Sequence, residues 1–384
     1  MKCMKLRKLV SEQRGGVAIM VAVSAVVLLS FAALVIDIGY GWVVKNQLHN
    51  TADAGALAGT SCLGIIYTGG SRPVCGTYPE MSPDAQQSYV LTPGHRAAII
   101  AEVQDAALKN ASGGVSISIS EADIRIGQWD VESRTLTVTD ERPTAVEVTA
   151  RRDGTTNGPI STFLGNIMGI SSLNVRATSV RNGLPEEPTA ALTGVSYAGP
   201  GTLDLPVGIS AEWFRNKAVF CNQNIRFYPT GDPAGCAGWM TYDLSPANAS
   251  TLRKDILQEM PPFGSYEPPE AYAGGTQFQF IGGNVASALP DLKALFDANK
   301  QPDPSSPTGY VWKTFVVVYE SADCSNPSGA HTIVGFASVA ITNVLAPPDG
   351  QLIEGQVKCD LIEPNTRGGG SNFGTLGSIP GLVQ

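Results

Sequence analysis

The chain of 384 residues has room for two or three folded units at roughly 150 residues each. A hydrophobic content of 43% and a charged content of 16%, with 42 glycines and 26 prolines, exclude a coiled coil, a collagen and a charge-driven disordered chain. The net charge of −8 is uneven: residues 1–16 hold five bases (Lys2, Lys5, Arg7, Lys8, Arg14) and one acid (Glu12), and the acidic remainder argues against a nucleic-acid partner.

After the basic start, Val17 to Ile36 reads VAIMVAVSAVVLLSFAALVI, without a charge. Roughly twenty helical residues at 1.5 Å each cross a hydrocarbon core of about 30 Å, so 17–36 is predicted to span a bilayer. Ser24 and Ser30 can return their hydroxyls to carbonyls one turn earlier. Bases before the span, with Tyr40 and Trp42 after it, place the amino terminus in the cytosol. A cleavable secretory signal is the competing reading. The run is too long for one, and the best small-x-small site, Ala56-Leu57-Ala58, lies far beyond it. Prepilin processing after Gly16 would want Glu where the chain has Val21.

Residues 37–60 lack proline and place Gly41, Val44, Leu48, Ala52, Gly55 and Gly59 three or four apart, so the helix is predicted to continue outward. The small residues Ala52, Gly55, Ala56 and Gly59 invite close backbone packing, against either the chain's own sheet or another subunit. Asp37 interrupts the apolar run. It marks the outer headgroup boundary or, on a functional reading, pairs with a base of a neighbouring membrane subunit.

Arg14-Gly15-Gly16, the exit Asp37-Ile38-Gly39, and the run NQLHNTADAGALAG from Asn46 to Gly59, including Asp53, resemble the start of TadG-like proteins of the TadE/TadG group. The likeness continues more weakly over 114–181, in GQWD (127–130), AVEVTARR (145–152), NGPISTFLGNIMG (157–169) and LNVRATSV (173–180). The resemblance implies a component of the bacterial Tad/Flp-type pilus machinery held in the inner membrane, with its bulk in the periplasm or cell exterior. Its implied partners are other pilus-assembly subunits and the lipid bilayer, with self-association through the N-terminal helix as a further expectation. On this view Asp37, Gly39, Ala52, Asp53, Gly55, Ala56 and Gly59 serve helix packing or assembly. Longer relatives carry a von Willebrand A domain with a D-x-S-x-S metal motif; the nearest string here, Asp243-Leu244-Ser245-Pro246-Ala247, lacks the second serine.

Further along, Cys62 to Gly94 reads as an irregular loop and His95 to Leu108 as an amphipathic helix. Alternating apolar residues at 115–119, 124–126, 136–138 and 146–148 predict antiparallel strands, followed by a short helix at 160–168 and a strand at 173–180. These form an α+β pilin-like domain over 61–182. A linker at 183–189 (GLPEEPT) leads to a mainly-β domain over 190–363, with strands at 218–221, 278–281, 311–319, 332–344 and 352–359, a helix near 292–298 and long proline-rich loops. Residues 364–384 read as a disordered glycine-rich tail. The fold class is α+β, led by one transmembrane helix that continues as a long helix.

One cysteine, Cys3, precedes the span and six follow it, an even number on the side expected to be oxidising. Short separations favour Cys62 with Cys75, Cys221 with Cys236 and Cys324 with Cys359 among fifteen connectivities. His49, His95 and His331 are too scattered for a zinc site, and no phosphate loop, dinucleotide fingerprint, nucleophile elbow, HExxH or EF-hand loop occurs. The acid pairs Glu121/Asp123 and Glu186/Glu187 read as solvated. The sequence thus predicts a non-enzymatic, cofactor-free, membrane-anchored assembly protein. Two rival readings are a minor pilin-like subunit that enters the fibre, and a membrane-anchored carbohydrate-binding or hydrolytic protein with Trp213, Trp239 and Trp312 as stacking faces.

Overall fold

The computed structural model describes residues 3–181, 184–215, 220–228 and 235–383. Of the sequence expectations, Gly183 of the linker, residues 218–219 of a strand and Gln384 of the tail lie outside these. The chain divides into two units that interleave in sequence: residues 1–55, 103–124 and 148–188 form one, and 56–102, 125–147 and 189–384 the other. The predicted domains at 61–182 and 190–363 are each continuous. In the structure, residues 56–102 and 125–147 share a unit with 189–384.

One helix, Cys3–Thr68, runs 66 residues without a break. The first proline in the sequence is Pro73, so nothing before it removes an i→i−4 hydrogen bond. Gly69 (φ 76°) and Gly70 (φ 124°) then take the left-handed backbone that ends a helix.

In the first unit, this helix changes character along its length. Val17 to Ile36 is largely uncovered, with Leu28 69% and Phe31 64% exposed. Beyond it, Asp37, Val44, Leu48, Thr51 and Ala52 are buried along one face. The face is covered by the helix Pro93–Leu108, from Val103 onward, and by short antiparallel strand pairs. Ala111–Ser112 pairs with Val115–Ser116, Arg151–Arg152 with Val175–Arg176, Ile160–Ser161 with Ser172–Leu173, and Ser179–Arg181 with Leu184–Glu186. The segment 160–168 is a strand followed by a 3-10 turn at Gly165–Met168, where periodicity suggests a helix. Gly158 and Gly169, both at positive φ, confine helical backbone to that turn.

The second unit is mainly β. Residues 62–94, expected to be an irregular loop, complete the long helix to Thr68 and then form a hairpin, Gly69–Arg72 with Gly76–Glu80, and a short helix, Pro83–Gln87. The largest sheet is built on Tyr310–Tyr319 paired antiparallel with the 17-residue strand Gly329–Leu345, in register Val316↔Ala337. Its path runs 224–228, 352–358, 329–345, 310–319, 207–210, 237–239. The helix Leu289–Asn299 buries Leu289, Leu292, Leu295 and Phe296 at helical spacing. A five-stranded sheet orders 381–382, 189–191, 145–148, 124–130 and 135–138.

Two expectations are corrected here. The C-terminal stretch is ordered as strands Leu361–Arg367, Thr375–Ile379 and Gly381–Leu382, with Thr375 and Leu376 buried. Its glycines serve close approach: a Cβ on Gly370 would come within 2.5 Å of the Val195 carbonyl oxygen, and one on Gly194 would strike that of Ser371. The disulfides are Cys62–Cys75, Cys221–Cys359 and Cys236–Cys324. Only the first follows the shortest-loop rule. Asn222 N–H bonds to Val357 O at 2.9 Å, and that backbone contact sets Cys221 beside Cys359.

Candidate functional site

Among the described residues, one helix, Gly16–Thr68, is long and apolar enough to cross a membrane, and the chain itself covers almost none of its most apolar window. Where that surface ends, the first unit closes on the helix. The Asp37 carboxylate accepts three consecutive backbone N–H groups, those of Phe163 (2.7 Å), Leu164 (3.1 Å) and Gly165 (2.6 Å). Asp37 thereby caps the 3-10 turn Gly165–Met168, as an anion at the amino end of a helical turn should. It is 7% exposed. Within the described residues its partners are the chain's own amides, so the acid is already engaged without a base from another subunit.

A second closure lies two turns on. Gly113 and Gly114, at φ 56° and 76°, form the two-residue turn between strands 111–112 and 115–116, as a primed hairpin turn requires. The tip docks on the helix: the Ser112 hydroxyl donates to Val44 O (2.9 Å), and Gly113 N–H donates to Gln47 Oε1 (2.7 Å). Arg152, 7% exposed, clamps it from outside, donating to Ser112 O (3.0 Å), Asn157 O (3.3 Å) and Gly158 O (3.2 Å). His49 Nε2 lies 3.2 Å from Thr178 O.

The small-residue stripe is spent inside the protein. A Cβ on Gly55 would meet Val103 Cγ1 at 3.2 Å and Val148 Cγ1 at 3.5 Å, and Ala52, Ala56 and Gly59 are buried. Gly39 is exposed with open space around its Cα, and Asp53 is half-buried, one turn past His49. Of the predicted set, Asp37 holds a distant segment by three backbone hydrogen bonds. Arg152, outside that set, ties the carbonyls of Ser112, Asn157 and Gly158 together. Sequence reasoning passed over it because a single arginine in a strand signals nothing by spacing.

The second unit holds a cleft of about 570 Å³ lined by Asp84, Asp303, Lys313, Lys358 and Glu363 among others. Burial raises the Glu363 carboxyl above its ordinary range, opposed by the Ser338 hydroxyl that donates to it at 3.0 Å. Burial lowers Lys358, opposed by Asp303 and Asp84. Trp239 and Trp312 are 1% and 3% exposed, which makes them core residues and unfit as sugar-stacking faces. Among the described residues, no group of three or more His, Cys, Asp or Glu side chains could hold a metal ion.

Comparison with known proteins places this architecture. Residues 15–61, which include the span, Asp37 and the small-residue stripe, match the family model described as "Putative Flp pilus-assembly TadE/G-like". Residues 79–180, which include Arg152 and the hairpin held by Asp37, match the model described as "Putative Tad-like Flp pilus-assembly". No curated protein and no solved structure matches the chain. Over these two regions the chain is similar to the TadE/G-like and Tad-like proteins of Flp pilus assembly.

Proposed function

We propose that the protein is a non-enzymatic tether of the pilus-assembly machinery, fixed in the bacterial inner membrane by residues 17–36 with its amino terminus cytosolic and its bulk on the far side. The observation that carries this reading is the junction at Asp37. There an uncovered apolar helix passes directly into a folded unit, and the two pilus-assembly matches meet across the same three hydrogen bonds. Three disulfides support an oxidising location for the folded part. The unbroken helix gives a stiff connection, so displacement of the anchor is transmitted to the exterior. Recognition of other pilus-assembly subunits then falls to exposed loops of the two units.

Deletion of the gene, scored for surface fibres and adherence and complemented with the full chain, tests the role; normal fibres and normal attachment in the deletion strain would overturn it. A reporter fused after Thr60 tests the topology, since activity only in an extracytoplasmic enzyme is expected. Sheared fibres free of the protein would separate a tether from a fibre subunit.

A further inference from the structure

Strands Ile160–Ser161 and Ser172–Leu173 form a hairpin whose tip, residues 162–171, reads TFLGNIMGIS. The tip leaves two large apolar side chains in the open: Phe163 is 78% exposed and Ile170 52% exposed. Both belong to a run from Gly154 to Val175 that contains no charged residue, in a chain whose charged content is 16%. Three N–H groups of the tip are bound to Asp37, the first acid after the apolar run, which fixes the tip's position along the helix axis. At 1.5 Å of rise per residue, Phe163 and Gly165 stand level with the last turn of the span.

We propose that this tip is a second membrane contact, with Phe163 and Ile170 immersed in the interface of the bilayer leaflet at which the spanning helix emerges. The inference rests on the membrane-anchor reading above and adds a lipid-binding element to it.

The backbone of the tip suits such a place. A segment entering a medium poor in water must satisfy its own polar groups. Here the N–H groups of Phe163, Leu164 and Gly165 go to Asp37, that of Gly169 to Asn166 O (3.2 Å) and that of Ile170 to Gly165 O (2.9 Å). The same three bonds cover the Asp37 charge where it borders hydrocarbon. Among the side chains described there, Ser161, Asn166, Ser171 and Ser172 are exposed and polar, which fits headgroup depth. Aromatic and aliphatic side chains presented by an otherwise uncharged loop are the usual means by which a protein wets its surface in a bilayer interface. Continuity with the uncovered span, Leu34, Val35 and Ile36 being 49%, 70% and 52% exposed, favours lipid over a protein partner as the occupant.

The test places the photo-crosslinking residue p-benzoylphenylalanine at position 163 of the full chain and, in a separate sample, at position 26 within the span, where Val26 is 63% exposed. Both are irradiated in membranes of a bacterial host, and adducts are read by mass spectrometry. Phospholipid adducts at both positions are expected. Lipid adducts at 26 with a protein adduct at 163 would make the tip a subunit-docking surface and overturn the proposal, as would lipid adducts at 26 with none at 163. No lipid adduct at 26 would overturn the membrane-anchor reading itself, and this inference with it.

Discussion

The Asp37 carboxylate accepts the backbone N–H of Gly165 at 2.6 Å across 128 positions of sequence. With its bonds to Phe163 and Leu164, it makes one carboxylate the fastening between the end of the apolar helix and the hairpin that lies against it. Asp37→Ala should release that hairpin while leaving the rest of the first unit folded. Hydrogen exchange of the Phe163–Gly165 amides is the measurement, and rates rising toward those of unprotected loop amides are expected. Asp37→Asn keeps one acceptor oxygen and should give an intermediate loss. Unchanged exchange in the alanine variant would show that the hairpin is held by packing alone.

Gly55 sits where two valines leave little room for a side chain. A Cβ fits only tightly at 3.2 Å from Val103, so Gly55→Leu must push the helix away from its floor at a cost of about 1–3 kcal/mol. Gly55→Ala should cost less, since a neighbour need give only a few tenths of an ångström. Denaturant midpoints of the two variants check the order. Equal midpoints for Leu and wild type would mean that the helix does not pack here as described.

Arg152 holds carbonyl oxygens from two separate loops with one planar group. Arg152→Lys keeps the charge but loses the fork, leaving buried acceptors unpaired at roughly 2–3 kcal/mol. The loss should appear as a lower thermal midpoint, together with increased cleavage in the 111–116 hairpin under limited proteolysis.

The disulfide pattern makes a ranked prediction. Cys62–Cys75 closes 13 residues, Cys236–Cys324 closes 88 and Cys221–Cys359 closes 138. By loop-closure entropy the first stabilises by about 3 kcal/mol and the last by about 5 kcal/mol. Non-reducing peptide mapping should recover the 221–359 and 236–324 peptides. Cys221→Ser with Cys359→Ser should destabilise more than Cys62→Ser with Cys75→Ser.

Two carboxylates give pH dependences of opposite sign. Burial raises Glu363 above its ordinary 4.5, so its protonated form favours the fold. Its contribution is complete below 4.5 and is lost as pH rises through the raised folded value. Glu363→Gln should therefore gain on wild type in thermal midpoint as pH rises from 4.5 toward neutrality. Asp153 is held at about 2 by the Thr155 hydroxyl and by the N–H groups of Thr155 and Thr156. Its contribution is present above 3.8 and is lost as pH falls through about 2, so Asp153→Asn should flatten the acid limb of the stability curve.

The sequence by itself determined the apolar span, the helix that prolongs it, the helix ending at Leu108 and most of the alternating strands, because each is written in neighbours two, three or four residues apart. It also flagged Asp37, since a charge that interrupts an apolar run is visible without any fold. Tertiary structure alone decided what Asp37 holds, which cysteines meet, that Arg152 clamps a hairpin, and that the glycine-rich end is sheet. Each of these depends on which remote segments come together. Glycine shows the difficulty most clearly: the composition that suggests a mobile tail is the same one that lets Gly370 bring its backbone against that of Val195. Local spacing carries no trace of the partner strand, and only the folded chain says which use the glycines serve.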